Sequence, residues 1–515
     1  MFSSSARPRF SPTACQLQFE LTNARKTDYD DKLWIPLISC PAKFPPELFE
    51  IAASQLIHHP EYNSTLILRS ETLQNLTDQD AFPECTPQLQ DYHKVRCIHR
   101  KLLPRRPGRD AALEQYCTLY AANSRNYEAP DSETVPTTLV LTPIVTPESP
   151  LPYYHPTVSH LAFRFLMEKD KGILRIEAIP LPNTSLDPNA RLYRTCLALL
   201  DTLHRYGWGA MTNYQKRVQH DIHVPREEYQ DLYLVMRERH KNLVDAWQEV
   251  TDPLKHVFED IGIATYLMLL WKRTFTSENP MEDSSEQAEP WKRWPRPPGG
   301  FVDFGCGNGL LTHILVSEGY DGHGFDVRAR ASWSTYPPHT QAKLYVYAFD
   351  PLSSTIGSDH LQPGAFIIAN HADELTPWTP VVSTLISASG YLSIPCCAWT
   401  FDSKYERSSN QPFPLPSDES LESFTTRLNL GGDGSNTSSY TMFRIWLATL
   451  SLHCGWQVEC ETLRIPSTRN WAIIGRKRLE LVPDQVAHGH VEGILQNVQA
   501  RRLFKPRKPE GKAGH

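Results

Sequence analysis

The pattern of apolar and polar positions divides the chain into three stretches. Between residues 137 and 181, the short apolar runs TTLVLTPIV, HLAFRFL and ILRIEAIPL predict strands. Between residues 188 and 274, three segments with apolar residues at helical spacing predict helices. From Phe301 onward, apolar runs alternate with helical segments, which is typical of a doubly wound, mainly parallel α/β sheet.

These changes predict a domain organisation with one main α/β domain. The expected parts are a poorly defined N-terminal region (1–95), a small α/β region (96–185), helices that cover the main domain (186–275), a proline-rich linker (276–298), the main domain (299–480) and a C-terminal helix with a basic tail (481–515). A long polar stretch near 408–439 predicts a mobile insertion in the main domain.

One stretch, FVDFGCGNGLLTHILVSEGYDGHGFD, indicates a ligand-binding loop. It reads as a strand, a turn with Gly305, Gly307 and Gly309, a helix, and a second strand that ends at Asp326. Glycine lets a backbone approach a ligand without a Cβ atom, and the first amides of a helix are unpaired donors. An acid that ends the second strand can accept from both hydroxyls of a ribose. The stretch therefore predicts a site for a nucleoside cofactor.

The glycine spacing narrows the choice of cofactor. The pattern is G-x-G-x-G, whereas loops that bind a pyrophosphate have G-x-G-x-x-G. Asp303 stands two residues before the first glycine, where class I S-adenosylmethionine (AdoMet) methyltransferases carry an acid. We therefore predict AdoMet as the cofactor.

Later strand ends add polar residues to this predicted site. Asp350 ends a third strand, Lys343 to Asp350, and there it either accepts from an adenine amino group or is only solvated. Asn370 follows the fourth strand, at the edge of an open α/β sheet where ligands bind. The predicted cofactor-binding residues are Asp303, Gly305, Gly307, Asn308, Gly309, Asp326, Asp350 and Asn370.

Composition and charge limit which partners other than AdoMet the chain is expected to bind. The formal charge of −6 does not indicate a nucleic-acid binder, so such a role must rest on local basic segments. The eleven cysteines lack the paired spacings of a zinc site, so no metal is expected. The longest apolar stretch, from Ile261 to Trp271, is too short to cross a bilayer, so we expect no membrane partner and a cytoplasmic location.

Residues from about 99 to 478 resemble the eukaryotic tRNA (uridine, 2′-O) methyltransferases that act at position 44 of serine tRNA. The matching stretches are LLPRRPGRDAALEQYC, KRVQHDIHVPREEYQDLY, DPLKHVFEDIGIATYLMLLW, FVDFGCGNGLL, EGYDGHGFDVRARASW, NHADELTPW, IPCC and LRIPSTRNWAII. The resemblance implies a class I Rossmann-like methyltransferase domain, AdoMet as methyl donor and a cytoplasmic tRNA substrate. Some animal members carry a C-terminal Cys/His zinc finger. This chain has no cysteine after Cys460, so we expect tRNA to dock differently there.

Transfer to a ribose hydroxyl requires a group that takes or polarises its proton. The predicted catalytic residues are Asp373 and Glu374, just after the fourth strand, and Lys404, past the fifth strand. For Asp373 the alternative role is that of a cap for the following turn. No complete Lys-Asp-Lys-Glu set can be assigned.

Two kinds of segment are candidates for RNA contacts. One is an exposed loop near the same edge of the sheet, and the others are basic segments earlier in the chain, each with a solvated surface as the alternative. The predicted RNA-binding residues are Arg464, Ser467, Thr468, Arg469, Asn470, Arg105, Arg106, Lys216 and Arg217.

Two other functions remain open on the sequence. One is an AdoMet enzyme that methylates an RNA base or a protein; enzymes acting on a base nitrogen often carry Asn/Asp-Pro-Pro-aromatic after the fourth strand, where this chain has Asn-His-Ala-Asp. The other is a non-catalytic RNA-binding subunit that kept the fold, which measured cofactor binding would test.

Overall fold

The structure is a computed structural model and divides into two compact units, Met1–Gln215 and Lys216–His515, which we call the N-terminal and the C-terminal unit. It describes residues 7–15, 26–27, 30–123, 135–146, 150–214, 219–276, 289–353, 360–407, 412–415, 419–430, 438–480 and 482–508.

The N-terminal unit is built on an antiparallel sheet. Its elements are β1 (Thr13–Ala14), β2 (Lys26–Thr27), β3 (Asp30–Leu33), β4 (Ile35–Pro41), α1 (Phe49–His58), β5 (Ile67–Thr77), β6 (Tyr92–Pro104), β7 (Leu113–Ala122), β8 (Pro136–Pro143), β9 (Val158–Glu168), β10 (Lys171–Pro180) and α2 (Arg191–Met211). Eight strands pair in the order β1-β4-β10-β9-β8-β7-β6-β5, and β2 with β3 forms a separate hairpin.

Helix α2 buries one face in the core of this unit. Leu192, Cys196, Leu200 and Leu203 recur at helical spacing and share an apolar cluster with the buried strand residues of β4, β9 and β10. Burial of each such aliphatic side chain contributes roughly 1.5–3 kcal/mol.

Two predicted boundaries in this half of the chain are wrong. The boundary after residue 95 falls inside β6, which pairs with β5 on one side and β7 on the other. The strand β5 was missed because Arg69 is buried and Leu73 is exposed, so RSETLQNLT does not alternate apolar-in and polar-out. The boundary at 185 separates α2 from the sheet on which it packs, so α2 belongs to the N-terminal unit.

The C-terminal unit contains a second sheet with helices. Its elements are α3 (Arg226–His240), α4 (Pro253–Thr274), β11 (Phe301–Phe304), α5 (Leu310–Ser317), β12 (Gly322–Asp326), α6 (Pro338–Gln341), β13 (Leu344–Val346), β14 (Phe366–Asn370), α7 (Trp378–Leu385), β15 (Gly390–Ile394), α8 (Leu421–Arg427), α9 (Ser439–His453), β16 (Trp456–Thr462), β17 (Trp471–Arg478) and α10 (Asp484–Arg501). The strand order is β13-β12-β11-β14-β15-β17-β16.

The first five strands of this order pair in parallel, and β17 runs antiparallel to both of its neighbours. Successive strand residues point to opposite faces. Val302 and Ile367 therefore lie in one apolar cluster with α7, α9 and α10, whereas Phe301, Phe366 and Ile368 lie in another with α3, α4 and α5. Helices cover both faces of the sheet.

Several predicted elements differ in extent. The third strand, predicted from Lys343 to Asp350, is only Leu344–Val346. The predicted insertion at 408–439 contains α8, and residues 408–411, 416–418 and 431–437 of it lie outside the described residues, as do residues 277–288 of the predicted linker. Among the described residues, no helix has the length and apolar content to cross a membrane.

Candidate active site

The turn between β11 and α5 holds the three alternating glycines. Gly305, Gly307 and Gly309 have φ values of 82°, 54° and 74°, in the left-handed region that favours glycine. A Cβ atom on Gly309 would lie 2.9 Å from Leu344, whereas one on Gly307 would meet no atom within 4 Å. The backbone at Gly307 therefore faces open space, as a ligand-binding loop requires.

Asp326, at the end of β12, reaches back to this turn. The Gly307 amide donates to Asp326 Oδ2 at 3.0 Å. Both residues line a cavity of about 250 Å³ at the carboxyl ends of β11, β12 and β14. In open α/β sheets, ligands bind at this edge where the strand order reverses, which here is between β11 and β14.

The cavity brings together five of the predicted site residues: Gly305, Gly307, Asp326, Asp373 and Glu374. The other lining residues are Phe325, Val327, Arg330, Tyr347, Ala348, Phe349, His371, Ala372, Leu375, Trp378, Phe504, Lys505 and Arg507.

Five predicted cofactor residues do not line this cavity. Asn308 accepts from the Leu310 amide and Asp350 from the Leu352 amide, so both stabilise local turns. Gly309 packs against Leu344, and the remaining two, Asp303 and Asn370, are engaged by buried partners.

Asp303 lies behind the glycine turn. Its side chain is buried, and the Thr312 hydroxyl donates to Asp303 Oδ2 at 2.8 Å. Burial raises the pKa of Asp303 to about 7, although the hydrogen bond from Thr312 partly opposes this increase. Asp303 therefore links β11 to α5 and supports the turn from within the core.

The turn after β14 places Asp373 at the edge of the cavity. His371 and Asp373 have φ values of 53° and 44°, which are uncommon for residues other than glycine and occur at functional sites. Cys396, just past β15, donates from Sγ to Asp373 Oδ1 at 3.1 Å. Burial and the adjacent carboxylate raise the pKa of both Cys396 and Cys397, so the two thiols stay protonated at neutral pH.

The other predicted catalytic residues have different surroundings. Glu374 Oε1 lies 2.6 Å from Arg507 Nη2, so this carboxylate is paired. Lys404 is exposed, forms a β-bridge with Trp399 and does not line the cavity.

Two acids of α4, which the sequence analysis missed, support the same turn. His371 Nε2 donates to Glu259 at 3.0 Å, and Asn370 Nδ2 donates to Asp260 at 3.1 Å. Burial alone would raise the pKa of Glu259, but the hydrogen bonds from His371 and Ser467 together outweigh it, so the pKa of Glu259 is lowered. For Asp260, burial followed by the charges of Glu259 and Asp303 raises the pKa well above its ordinary value. The signal in the sequence was a pair of adjacent acids within an apolar helix, FEDIGIA.

The predicted RNA-binding loop is partly engaged within the C-terminal unit. Arg464 forms a two-point ion pair with Asp221, and Asn470 donates to the Leu463 carbonyl. The Arg469 guanidinium stacks over the Tyr440 ring at 3.8 Å. Thr468 is exposed, and Ser467 is hydrogen-bonded to Glu259, so this loop contacts the helix that supports the turn after β14.

The remaining predicted RNA contacts lie elsewhere. Arg105 and Arg106 are exposed in the turn after β6, which ends at Pro104. Arg105 Nε donates to the Ile67 carbonyl. Lys216 and Arg217 lie outside the described residues.

Comparison with known proteins identifies the family. Residues 11–217 match the family model described as TRM44-like, N-terminal bet v1-like domain, and residues 223–285 and 289–351 match the model described as predicted AdoMet-dependent methyltransferase. The chain is 33% identical to the Schizosaccharomyces pombe protein named tRNA (uracil-O(2)-)-methyltransferase, over 87% of this chain and 86% of that protein. This chain belongs to the TRM44-like tRNA (uracil-O(2)-)-methyltransferase family.

Other members of the family are similarly related. The proteins of the same name from Neurospora crassa and Saccharomyces cerevisiae are 32% and 29% identical to this chain; each match covers 92% of this chain, with 92% and 94% of those proteins. No solved structure gave a significant match. The resemblance found in the sequence is thereby confirmed, and the family description makes AdoMet the methyl donor.

The cavity residues fit this cofactor. AdoMet presents a ribose diol, a flat adenine and an amino-acid end, and the cavity offers the Asp326 carboxylate, apolar walls and an open glycine turn. In addition, Arg330 lines the cavity, and its buried Nε group has no hydrogen-bond partner among the described residues. An acceptor on a bound ligand would satisfy this donor.

Proposed function

We propose that this chain is an AdoMet-dependent tRNA methyltransferase that methylates the ribose 2′-hydroxyl of uridine at position 44 of serine tRNA in the cytoplasm. The proposal rests on one observation: the glycine turn, Asp326 and Asp373 line the same cavity. Family membership supports the tRNA substrate, since the relatives are named for methylation of uracil nucleotides in tRNA.

The fold proposed for the catalytic domain is the class I Rossmann-like arrangement. Numbered along the sheet, the strand order is 3-2-1-4-5-7-6, with only the seventh strand antiparallel to its neighbours. Helices on both faces and a ligand cavity at the reversal of strand order support this assignment. We place the catalytic domain at residues 299–480, with α10 and its tail packed on it.

Gly305, Gly307 and Asp326 are proposed to hold the cofactor, with Asp326 accepting from the ribose hydroxyls. Tyr347 and Phe349 supply flat walls beside Asp326. AdoMet, when bound, supplies a methyl group on a sulfonium that an oxygen nucleophile takes in an in-line displacement. The indirect position of Asp303 makes it a support of the turn rather than a direct ligand.

Asp373 is the proposed base that takes the proton of the ribose hydroxyl. It borders the cavity and is exposed to an incoming ribose, whereas Glu374 is paired with Arg507. The thiol of Cys396 donates to Asp373 Oδ1, and the Cys397 side chain is hydrogen-bonded to the same carboxylate.

RNA contacts are proposed for the loop from Arg464 to Asn470 and for the basic segments at Arg105, Arg106, Lys216 and Arg217. Arg469, which stacks on Tyr440, is close in sequence to Ser467. Ser467 is hydrogen-bonded to Glu259, and Glu259 is hydrogen-bonded to His371 in the turn that carries the proposed base Asp373. Arginines in such positions contact phosphates or stack on bases.

The test uses the full chain, labelled AdoMet and unmodified serine tRNA, followed by nucleoside analysis of the product. We expect 2′-O-methyluridine at position 44, absent when that uridine is replaced by cytidine. Asp373→Asn should slow transfer by roughly 10²–10⁴-fold, because a positioned base contributes about this much. Asparagine tolerates a positive φ, so the turn should persist.

Glu374→Gln is the matched control and should retain most of the transfer rate. AdoMet binding, measured by calorimetry, should be nearly unchanged in Asp373→Asn and at most several-fold weaker in Glu374→Gln, which loses the ion pair with Arg507. Full activity of Asp373→Asn would move the base to another residue. Unlabelled tRNA together with normal AdoMet binding would overturn the substrate assignment.

A further inference from the structure

The N-terminal unit contains a cavity of its own, of about 540 Å³. It lies between one face of the sheet, the end of α1 and the first two turns of α2, and it is lined in part by Leu102, Leu141 and Phe163. Its volume is within the range of small-molecule sites, which span about 300–1,000 Å³. Nothing in the methyl-transfer chemistry uses this cavity.

The floor of the cavity carries a buried positive charge. Arg100 is 3% exposed and donates to Gln115 and to the last carbonyls of α1. The Gln115 amide donates in turn to His155 Nε2, and the His155 Nδ1 group donates to the Pro156 carbonyl. Burial lowers the pKa of His155 to about 4, so this histidine is neutral and the floor keeps the charge of Arg100.

Two amide side chains of this cavity have N–H groups without a partner among the described residues. The Gln115 amide has two N–H groups, of which one is used by His155. The buried Asn63 Nδ2 group also lines the cavity and has no partner among the described residues. None of the described lining residues is acidic; Glu61, which acts on Arg100, does not line the cavity and is hydrogen-bonded to His59. A ligand that enters must bring acceptors.

Two further cations line the cavity from α2. Arg191 stacks over the Tyr153 ring at 4.0 Å and Arg194, one turn later, is exposed. Arg191 is the first residue of α2, where the helix macrodipole also favours an anion. The cavity thus combines cations on the helix side, apolar side walls and a floor with spare donors.

We propose that this cavity binds a nucleoside phosphate, with the phosphate at Arg191 and Arg194 and the base between the apolar walls above Arg100 and Gln115. A nucleobase has a flat apolar face together with carbonyl and ring-nitrogen acceptors, which match the spare donors of the floor. An alkyl chain would fill the walls but leave those donors unpaired, at a cost of about 1–3 kcal/mol for each group. The nucleoside phosphate is either a free nucleotide or a nucleotide of bound RNA.

Calorimetry on the full chain tests this site, with uridine and guanosine 5′-monophosphates as probes and uridine and decanoate as comparisons. We expect a nucleotide to bind, and uridine to bind at least about tenfold more weakly because it lacks the phosphate. Arg191→Ala and Arg194→Ala should each weaken nucleotide binding several-fold. Arg9→Ala, which removes an exposed arginine that does not line the cavity, is the matched control.

Ala198→Trp separates this cavity from the methyl-transfer site. Ala198 lines the cavity from an exposed position on α2, so a tryptophan there should block entry without disturbing the core. Nucleotide binding should be lost in this variant while AdoMet binding is kept, which also shows that the chain is folded. Nucleotide binding that survives Ala198→Trp, binding of decanoate alone, or no binding of either probe would overturn the proposal.

Competition with a 5′-phosphorylated hexauridylate identifies the source of the ligand. Displacement of the nucleotide by the oligonucleotide, abolished by Ala198→Trp, supports a nucleotide of RNA. A nucleotide that binds and is not displaced supports a free nucleotide. Because tRNA methylation can fail while this binding persists, the result is independent of the proposed catalytic function.

Discussion

Arg507 and Glu374 form an ion pair, with Arg507 Nη2 2.6 Å from Glu374 Oε1, and this pair joins the segment after α10 to the turn after β14. The Phe504 ring packs edge-on against Trp378 at a centroid distance of 5.7 Å. Phe504, Lys505 and Arg507 line the same cavity as Gly305 and Asp326. The segment that follows α10 therefore forms one wall of the candidate cofactor site.

Loss of this wall should weaken cofactor binding. We expect Arg507→Ala to raise the AdoMet dissociation constant roughly three- to tenfold, a modest effect because the ion pair is partly exposed and partly screened. Calorimetry measures the change, with Lys508→Ala as the control because Lys508 is an exposed cation of the same segment that does not line the cavity. Equal dissociation constants for the two variants would show that the arginine contributes nothing to binding.

The two strand-end acids that the sequence assigned to the cofactor should behave differently. Asp326 lines the cavity and binds the Gly307 amide, whereas Asp350 only stabilises its own turn through the Leu352 amide. Asp326→Ala should weaken AdoMet binding by at least about tenfold, since hydrogen bonds to a charged group are worth roughly 1.5–3 kcal/mol. Asp350→Ala should change it by less than about threefold. Comparable losses in the two variants would contradict the geometry of the cavity.

The glycine turn and the order of elements around it could be predicted because the signals are local. Alternating glycines after an apolar strand, an acid at the end of the next strand and a helix between them all lie within Phe301–Asp326. The structure places Gly305, Gly307 and Asp326 together, as that pattern predicts. Asp373 was predicted near this turn for a related reason, because polar residues just past a strand of an open sheet indicate its ligand-binding edge, and Asp373 lines the same cavity.

The parts that the sequence analysis missed depend on contacts between residues far apart in the chain. Glu259 meets His371 across 112 positions, and Arg507 meets Glu374 across 133 (507 minus 374). No periodicity encodes such pairs. The same reason explains the errors in the N-terminal unit, where β5 buries Arg69, exposes Leu73 and can be recognised only by its pairing with β6.

Asp303 should make stability depend on pH in a defined direction. Its pKa in the folded chain is about 7, above the ordinary value of about 3.9, because the carboxyl is buried. The folded state therefore holds the proton more tightly, and the free energy of unfolding should fall as the pH rises from about 4 to 7. Asp303→Asn removes this titration, so its stability relative to wild type should increase over that window, by up to about 4 kcal/mol.

Chemical unfolding of the full chain at pH 5, 6, 7 and 8 measures this difference. Thr312→Val is the companion variant, because it removes the hydrogen bond that lowers the pKa of Asp303 and should therefore shift the window upward. A difference between wild type and Asp303→Asn that is the same at every pH would contradict the assignment.

Glu318 should have the opposite dependence. Burial alone would raise its pKa, but hydrogen bonds from His240, at 2.7 Å, and Arg239, at 2.8 Å, lower it to about 2. Trp291 Nε1 donates to the second carboxylate oxygen at 2.8 Å. A depressed pKa stabilises the fold above the ordinary value of about 4.3, and this stabilisation is lost as the pH falls towards about 2.

Glu318→Gln should therefore destabilise the C-terminal unit at pH 7 by about 3 kcal/mol, the value that follows from a shift of this size. Unfolding of both proteins between pH 7 and 3 should show the gap narrowing below about pH 4.5, since the wild-type carboxylate becomes protonated more readily when the chain is unfolded. Glu238→Gln, at an exposed position of α3, is the control and should change stability by less than about 0.5 kcal/mol. A gap for Glu318→Gln as wide at pH 3 as at pH 7 would mean that the packing of the side chain, and not its charge, stabilises this region.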